Sequence, residues 1–110
     1  MKKDQSFHDY VKMDLLQHIS GITSRAMFGG WAIYKNGIIF AIIVDGELYF
    51  KVDDSNRSFF EKLDSHPFIY RQGKKSVTMS YWTVPSSVLE DRDLLSEWVD
   101  RSAKIPKKKK

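Results

Sequence analysis

Between residues 27 and 52 the chain alternates apolar runs with two short polar breaks, Asn36-Gly37 and Asp45-Gly46. Both dipeptides favour the positive φ angles that a two-residue type I′ hairpin turn requires. The pattern therefore predicts a three-stranded antiparallel meander with tight connections. The turns also set the register, which places Lys35 opposite Ile38 across the first turn.

This register divides the side chains of the meander between two faces, because neighbours along a strand point to opposite sides of a sheet. One face is apolar or aromatic throughout and is expected to pack on a core. Its members are Ala32, Tyr34, Ile39, Ala41, Ile43, Leu48, Phe50 and Val52. The second face is apolar at its centre and charged at its rim, and it supplies a candidate protein interface. That candidate consists of Trp31, Ile33, Phe40, Ile42 and Tyr49.

Three alternatives remain for what packs against the second face: a helix or terminus of the same monomer, another protein molecule, or stacked bases. Exposed apolar patches on the order of several hundred Å² usually mark interfaces between proteins. Aromatic side chains on a sheet can also stack bases, but such a sheet is expected to be ringed by basic residues. Here the rim mixes Lys35 and Lys51 with Glu47.

The segments outside the meander predict three helices and a second hairpin. The first helix is expected from about Phe7 to Ile19, with Ser6 as N-cap and Gly21 at its end, and a short helix that buries Phe59, Phe60 and Leu63 is expected after Asp53 to Ser55. The hairpin is expected to consist of residues 68–71 and 75–82, with Val77, Met79 and Tyr81 facing a core. A last helix that buries Leu95 and Trp98 is expected after Asp91. Residues 22–26 are expected to be a connector, and residues 86–90 a loop or short turn. The order α-β-β-β-α-β-β-α indicates an α+β fold, a two-layer α/β sandwich with an antiparallel sheet.

The length of 110 residues and the 42% hydrophobic content favour a single domain. We expect this domain to occupy residues 1–103 and a basic disordered tail to occupy residues 104–110. The net charge of +4 equals the charge of Lys107 to Lys110, because the other 14 basic residues balance the 14 acidic ones. The candidate nucleic-acid contacts are the tail residues Lys107, Lys108, Lys109 and Lys110.

Residues that could carry out catalysis or hold a metal do not occur in a recognisable arrangement. The chain has no cysteine, and His8, His18 and His66 are not spaced as metal ligands. Glycine spacing rules out a phosphate-binding loop, and no serine lies in a nucleophile motif. We therefore expect no catalytic residue, no cofactor and no metal. Because no apolar run of about 18 residues and no secretory leader is present, we also expect a cytoplasmic protein without a membrane partner.

Four motif blocks in order carry a resemblance to a known family. They are Arg25-x-Met27-Phe28-Gly29-Gly30-x-Ala32-Ile33-Tyr34, Asp45-Gly46-Glu47-Leu48-Tyr49-x-Lys51-Val52-Asp53, Pro67-Phe68-x-Tyr70 and Met79-x-Tyr81-Trp82-x-Val84-Pro85. The sequence resembles the N-terminal domain of the TfoX family, also called Sxy, which regulates competence genes in bacteria. The match spans about Phe7 to Ala103. Its first block supplies the family-motif residues Arg25, Met27, Phe28, Gly29 and Gly30.

The resemblance implies a fold like that of type III secretion chaperones and a non-enzymatic regulatory or adaptor domain. Such a domain would act through protein contacts in transcriptional regulation, with the cyclic-AMP receptor protein or a second copy of itself as partner. Full-length relatives carry a second, helical domain, so this chain is expected to be a stand-alone N-terminal domain. The alternative function is direct nucleic-acid binding through the basic tail and the aromatic sheet face.

Overall fold

The structure, a computed structural model, describes residues 8–27 and 30–105. Its centre is a six-stranded antiparallel sheet with the strand order β1-β2-β3-β4-β6-β5. The elements are α1 (Tyr10–Leu15), β1 (Ile22–Met27), β2 (Gly30–Lys35), β3 (Ile38–Val44), β4 (Glu47–Lys51), α2 (Arg57–Glu61), β5 (Pro67–Gln72), β6 (Lys75–Thr83), α3 (Ser86–Leu89) and α4 (Arg92–Ala103). These elements confirm the α+β class and the antiparallel sheet.

The two turns of the predicted meander have the expected geometry. Asn36 and Gly37 have φ angles of 52° and 82°, and Asp45 and Gly46 have φ angles of 52° and 73°. Positive φ at both central residues is the signature of a type I′ turn. Lys35 pairs with Ile38 as predicted. The second turn likewise pairs the last residue of β3 with the first residue of β4.

The prediction of a connector at residues 22–26 is wrong, because this segment is strand β1 and pairs along its length with β2. Polar residues occupy its middle, so its hydrophobic pattern is too weak to indicate a strand. Gly21 lies before β1 rather than at the end of the first helix, and its φ is +81°. Its carbonyl accepts a hydrogen bond of 2.9 Å from the Asn36 amide. The helix itself ends earlier, at Leu15, and has π-type hydrogen bonding.

The helices pack on one side of the sheet around a single hydrophobic core. Helix α4 begins at its predicted cap, where Asp91 Oδ1 accepts a hydrogen bond of 3.1 Å from the Leu94 amide. The buried stripe of α4 contains the predicted Leu95 and Trp98. The cluster joins helix residues with one side of the strands, and it contains Val11, Leu16, Phe60, Val88, Leu95, Trp98 and Val99 with Ile33, Phe40, Ala41, Ile43, Leu48, Phe50, Val52 and Val84.

Several predictions outside the meander need correction. Leu63 is exposed rather than buried, because α2 ends at Glu61 before a full second turn can bring it to the core. Val77 is also exposed, since its part of β6 extends past the helices. Residues 86–89, expected as a loop or short turn, form the four-residue helix α3.

A buried polar group ties the end of β4 to two helices. The Lys51 carbonyl accepts hydrogen bonds from Asn56 Nδ2 at 3.1 Å and from Ser102 Oγ at 2.8 Å. The Asp53 amide donates to Asn56 Oδ1 at 2.9 Å. Both side chains are buried, so these bonds satisfy groups that would otherwise cost free energy. They fix the position of α4 relative to the sheet.

Gly30 of the family motif lies where the backbones of β2 and β3 approach each other closely. A Cβ atom at this position would lie 2.0 Å from the Ile43 carbonyl oxygen. The space is therefore open only to glycine. Phe28 and Gly29 lie outside the described residues.

We predict that Gly30→Ala destabilises the domain by about 1–3 kcal/mol, because the strands must separate to accept the methyl group. Urea unfolding followed by circular dichroism measures the change. The control is Gly37→Asn, since a Cβ at residue 37 meets no atom within 4 Å and asparagine tolerates the left-handed conformation. Equal stability of Gly30→Ala and the parent would contradict the close approach.

Candidate interaction site

A β-bulge in β3 determines which side chains lie on each face of the sheet. Ile33 pairs with Ala41, but the next residue of β2, Tyr34, pairs with Ile39. Phe40 is therefore an extra residue on β3, and it points to the helix side together with Ala41. Its side chain is 0% exposed, and its ring centroid lies 5.6 Å from that of Phe50. The bulge makes Phe40 a core residue.

The prediction that Trp31, Ile33, Phe40, Ile42 and Tyr49 share one face is wrong for this reason. The bulge shifts the alternation of β2 by one position relative to the rest of β3 and β4. Trp31, Ile33 and Phe40 consequently lie on the helix side, where Ile33 and Phe40 are buried in the core. Ile42 and Tyr49 pair with each other on the opposite side.

The predicted core face is divided by the same bulge. Ala41, Ile43, Leu48 and Phe50 are in the core as expected. Ala32 and Tyr34 instead lie on the side without helices, together with Ile39, because β2 is shifted relative to β3. Tyr81, which was expected to face the core, pairs with Lys51 and also lies on this side.

We use the term open face for the side of the sheet opposite the described helices. Its central residues are Tyr34, Ile39, Ile42, Tyr49, Phe68 and Tyr81. The rings of Tyr49 and Phe68 are 5.1 Å apart at an angle of 59°. Ile42 is only 5% exposed although no described helix covers it, and its cross-strand partners are Ala32 and Tyr49. The open face is therefore a partly buried aromatic surface within the monomer.

The pKa values of two tyrosines on the open face are raised, which favours the neutral phenol. Burial is the main cause that raises the pKa of Tyr49, followed by the negative charges of Glu47 and Asp45. Burial also raises the pKa of Tyr81, with a smaller contribution from Tyr34. The phenols therefore remain uncharged at neutral pH and present hydroxyl groups beside apolar rings. Such side chains are enriched where proteins meet.

On the helix side, His8 joins α1 to the first two strands. Its ring is buried and stacks on Trp31, with 3.9 Å between ring centroids. Nδ1 lies 3.0 Å from Asp9 Oδ1, and Nε2 lies 2.8 Å from Ser24 Oγ. The indole Nε1 of Trp31 is buried and has no hydrogen-bond partner among residues 8–27 and 30–105. Sequence reasoning missed this group because the separation of 16 residues between His8 and Ser24 follows no local pattern.

Among the other predicted site residues that the structure describes, Arg25 lies at the edge of the open face, because it pairs with Ala32 on the side without helices and lines a shallow cavity together with Tyr34. Arg25 is exposed on the edge strand β1, and Met27 ends that strand. Lys107 to Lys110 lie outside the described residues. The described chain remains packed to Ile105, whose side chain is buried and whose carbonyl accepts a hydrogen bond of 3.3 Å from Lys51 Nζ.

The described part of the chain contains no group of three or more potential metal ligands. His18 is hydrogen-bonded to Ser96 at 2.8 Å, and His66 is exposed at the start of β5. No helix within residues 8–27 and 30–105 is long and apolar enough to cross a membrane.

Comparison with known proteins identifies relatives over most of the chain. The family model of the TfoX N-terminal domain matches residues 14–105. Protein Sxy of Escherichia coli (strain K12) is 27% identical over 79 residues, which cover 72% of this chain. The matched region is 38% of the length of that relative, so the chain corresponds to well under half of it.

We predict that Phe40→Ala destabilises the domain by about 3–5 kcal/mol, because it removes a fully buried ring from the core. The matched control on the same strand is Ile38→Ala, which truncates an exposed side chain and should change stability by less than about 1 kcal/mol. Chemical denaturation measures both. Similar small effects of the two substitutions would contradict the bulge.

We also predict that stability declines in alkaline solution through Tyr81. Its folded pKa lies above the ordinary value of 10.0, so the stabilisation is complete below pH 10 and is lost as pH rises through the folded pKa. Urea unfolding between pH 8 and 11 should show this decline, with a smaller decline in Tyr81→Phe. Parallel pH profiles for the variant and the parent would contradict it.

Proposed function

The chain belongs to the TfoX N-terminal domain family, and from this premise we propose that it is a non-enzymatic regulatory or adaptor domain acting in transcriptional regulation. It would act through protein–protein contacts made by the open face. The family relationship supports a competence-regulator-like domain. We infer the contact surface from the cluster of half-buried tyrosines on the side of the sheet that no described helix covers.

The chemistry of the open face favours a protein over nucleic acid as its occupant. Tyr49 lies close enough to Glu47 and Asp45 for their charges to raise its pKa. A phosphate backbone approaching this part of the sheet would meet the same negative charges. The phenol rings are instead suited to an interface in which apolar area is buried and hydroxyl groups find new partners. The acidic side chains beside Tyr49 distinguish this part of the open face from a base-stacking sheet.

The partner we propose is a transcription regulator such as the cyclic-AMP receptor protein. A second copy of the chain is the competing occupant. An open face shared by two copies would pair the same residues around a two-fold axis and would leave the surface unavailable to other proteins. Sedimentation therefore distinguishes the two arrangements directly.

We predict that Tyr49→Lys weakens binding of the partner at least about tenfold, because it places an unpaired charge among buried aromatic rings. The assay is sedimentation velocity of the purified chain, alone and mixed with the cyclic-AMP receptor protein and cyclic AMP. The matched control is Met13→Lys, which puts the same charge on an exposed apolar residue of α1.

Association that is lost in Tyr49→Lys and retained in Met13→Lys supports the open face as the contact surface. Association of the chain with itself alone would replace the receptor protein by a second copy. Equal binding by both variants would contradict the role of the open face. A parent chain that binds neither partner would contradict the proposed function.

A further inference from the structure

The hairpin of β5 and β6 extends past the end of β4 as a two-stranded ribbon. Strand β6 pairs with β4 only from Tyr81 to Thr83, whereas its earlier residues pair with β5. We call residues 69–78 the arm. Ile69 and Val77 on the arm are 44% and 51% exposed although both are large and apolar. The arm is therefore outside the layer that the helices cover.

The arm carries positive charge that no acidic side chain balances. Arg71, Lys74 and Lys75 are all exposed, and none forms an ion pair with any residue in the described ranges. The sequence from residue 65 to residue 89 contains no aspartate or glutamate. Three basic side chains elsewhere are ion-paired, namely Lys35 with Asp100, Arg57 with Asp54 and Arg101 with Glu97.

The remainder of the described chain has the opposite charge balance. Outside the arm it holds nine lysines and arginines against thirteen aspartates and glutamates. Helix α4 contributes to this excess, because its ion pair between Arg101 and Glu97 leaves other carboxylates on the same helix. The positive charge of the described protein is thus concentrated on one protruding element. An acidic ligand would be attracted to the arm and repelled by the rest of the surface that the described residues form.

The placement of the basic residues indicates the shape of that ligand. Alternation along the paired strands puts Arg71 on one side of the ribbon with Ser76 and Thr78, and Lys75 on the other side with Val77. Lys74 lies in the turn at the tip, after Gly73 with its φ of +61°. A flat acidic surface could contact only one side of the arm. Charge on both sides and at the tip matches a groove with negative walls.

The major groove of duplex DNA has these properties. It is about 12 Å wide and about 8.5 Å deep, and it admits a two-stranded β-ribbon between two rows of phosphates. Four residues of the arm span about 13 Å at the usual strand rise, which is enough to reach the floor of the groove. Hydroxyl side chains such as Ser76 and Thr78 are common donors to phosphate oxygens.

We propose that the arm binds duplex DNA by entering the major groove, where Arg71, Lys74 and Lys75 contact phosphates on both walls. This site lies at the far end of the hairpin and uses none of the residues tested for protein binding on the open face. The proposal therefore does not depend on the function proposed above. The contacts are to the DNA backbone, so binding is expected to be sensitive to salt and weakly dependent on base sequence.

The test is fluorescence anisotropy of a labelled duplex of about 20 base pairs with the full chain, titrated at several salt concentrations. The arm variant carries Arg71→Gln, Lys74→Gln and Lys75→Gln. The matched control carries Lys62→Gln, Arg92→Gln and Lys104→Gln, which remove the same charge from exposed positions elsewhere. All proteins keep Lys107 to Lys110, so the contribution of these residues is constant.

We predict that the arm variant binds at least about tenfold more weakly at low salt than the control. Its log-log salt slope should be smaller than that of the parent by about 2.7, since each lost phosphate contact lowers the slope by about 0.9. Lys74→Gln alone should lower it by about 0.9 and provides a test at the turn, where folding depends least on the side chain.

Equal affinities and slopes for the arm variant and the control would overturn the proposal. So would the absence of DNA binding by the parent at low salt, or binding to single-stranded DNA as tight as binding to the duplex. If the arm variant keeps its DNA affinity but loses association with a protein partner in sedimentation, the arm is a protein contact and the DNA proposal is wrong.

Discussion

The bulge at Phe40 is the packing constraint on which both surfaces of the sheet depend. One additional residue on β3 directs two consecutive side chains, Phe40 and Ala41, into the core. The strand can then fill the space beneath α4 while Tyr34 on β2 is turned to the other side. A regular β3 would exchange the core and surface positions of β2, because side chains alternate strictly in an unbulged strand. The bulge therefore places Tyr34 on the open face beside Ile39.

Local sequence signals were sufficient to predict the turns, the fold class and the last helix. Asn36-Gly37 and Asp45-Gly46 have few alternatives to a type I′ turn, and Asp91 is followed by a clear helical stripe. The bulge could not be predicted because the strand from Ile38 to Val44 is apolar throughout. A run without polar residues contains no alternation whose interruption would reveal an inserted residue. Strand β1 was missed for the opposite reason, since its centre is polar.

The bulge made the predicted interface less accurate than the predicted fold. Its five residues were grouped by strict alternation, so the bulge distributed them over two faces and buried Phe40 completely. Contacts between distant segments, such as that of His8 with Ser24, depend on how α1 docks and have no signature in spacing. Charge was informative only after the structure was known. The net charge of +4 directs attention to the terminal lysines, whereas the described residues show a basic arm on an acidic body.

The pairing of β4 with β6 has a consequence for the mechanics of the domain. Every other pair of adjacent strands in the described sheet is consecutive in the chain, and this seam comprises only three residue pairs. Helix α4 stabilises this seam from one side, for example through the hydrogen bond that Ser102 Oγ donates to the Lys51 carbonyl. This narrow boundary divides the strands into two units, the first four strands and the last hairpin. Thermal fluctuations that open this boundary would move the hairpin as a rigid body and would leave the hydrogen bonds within each unit intact.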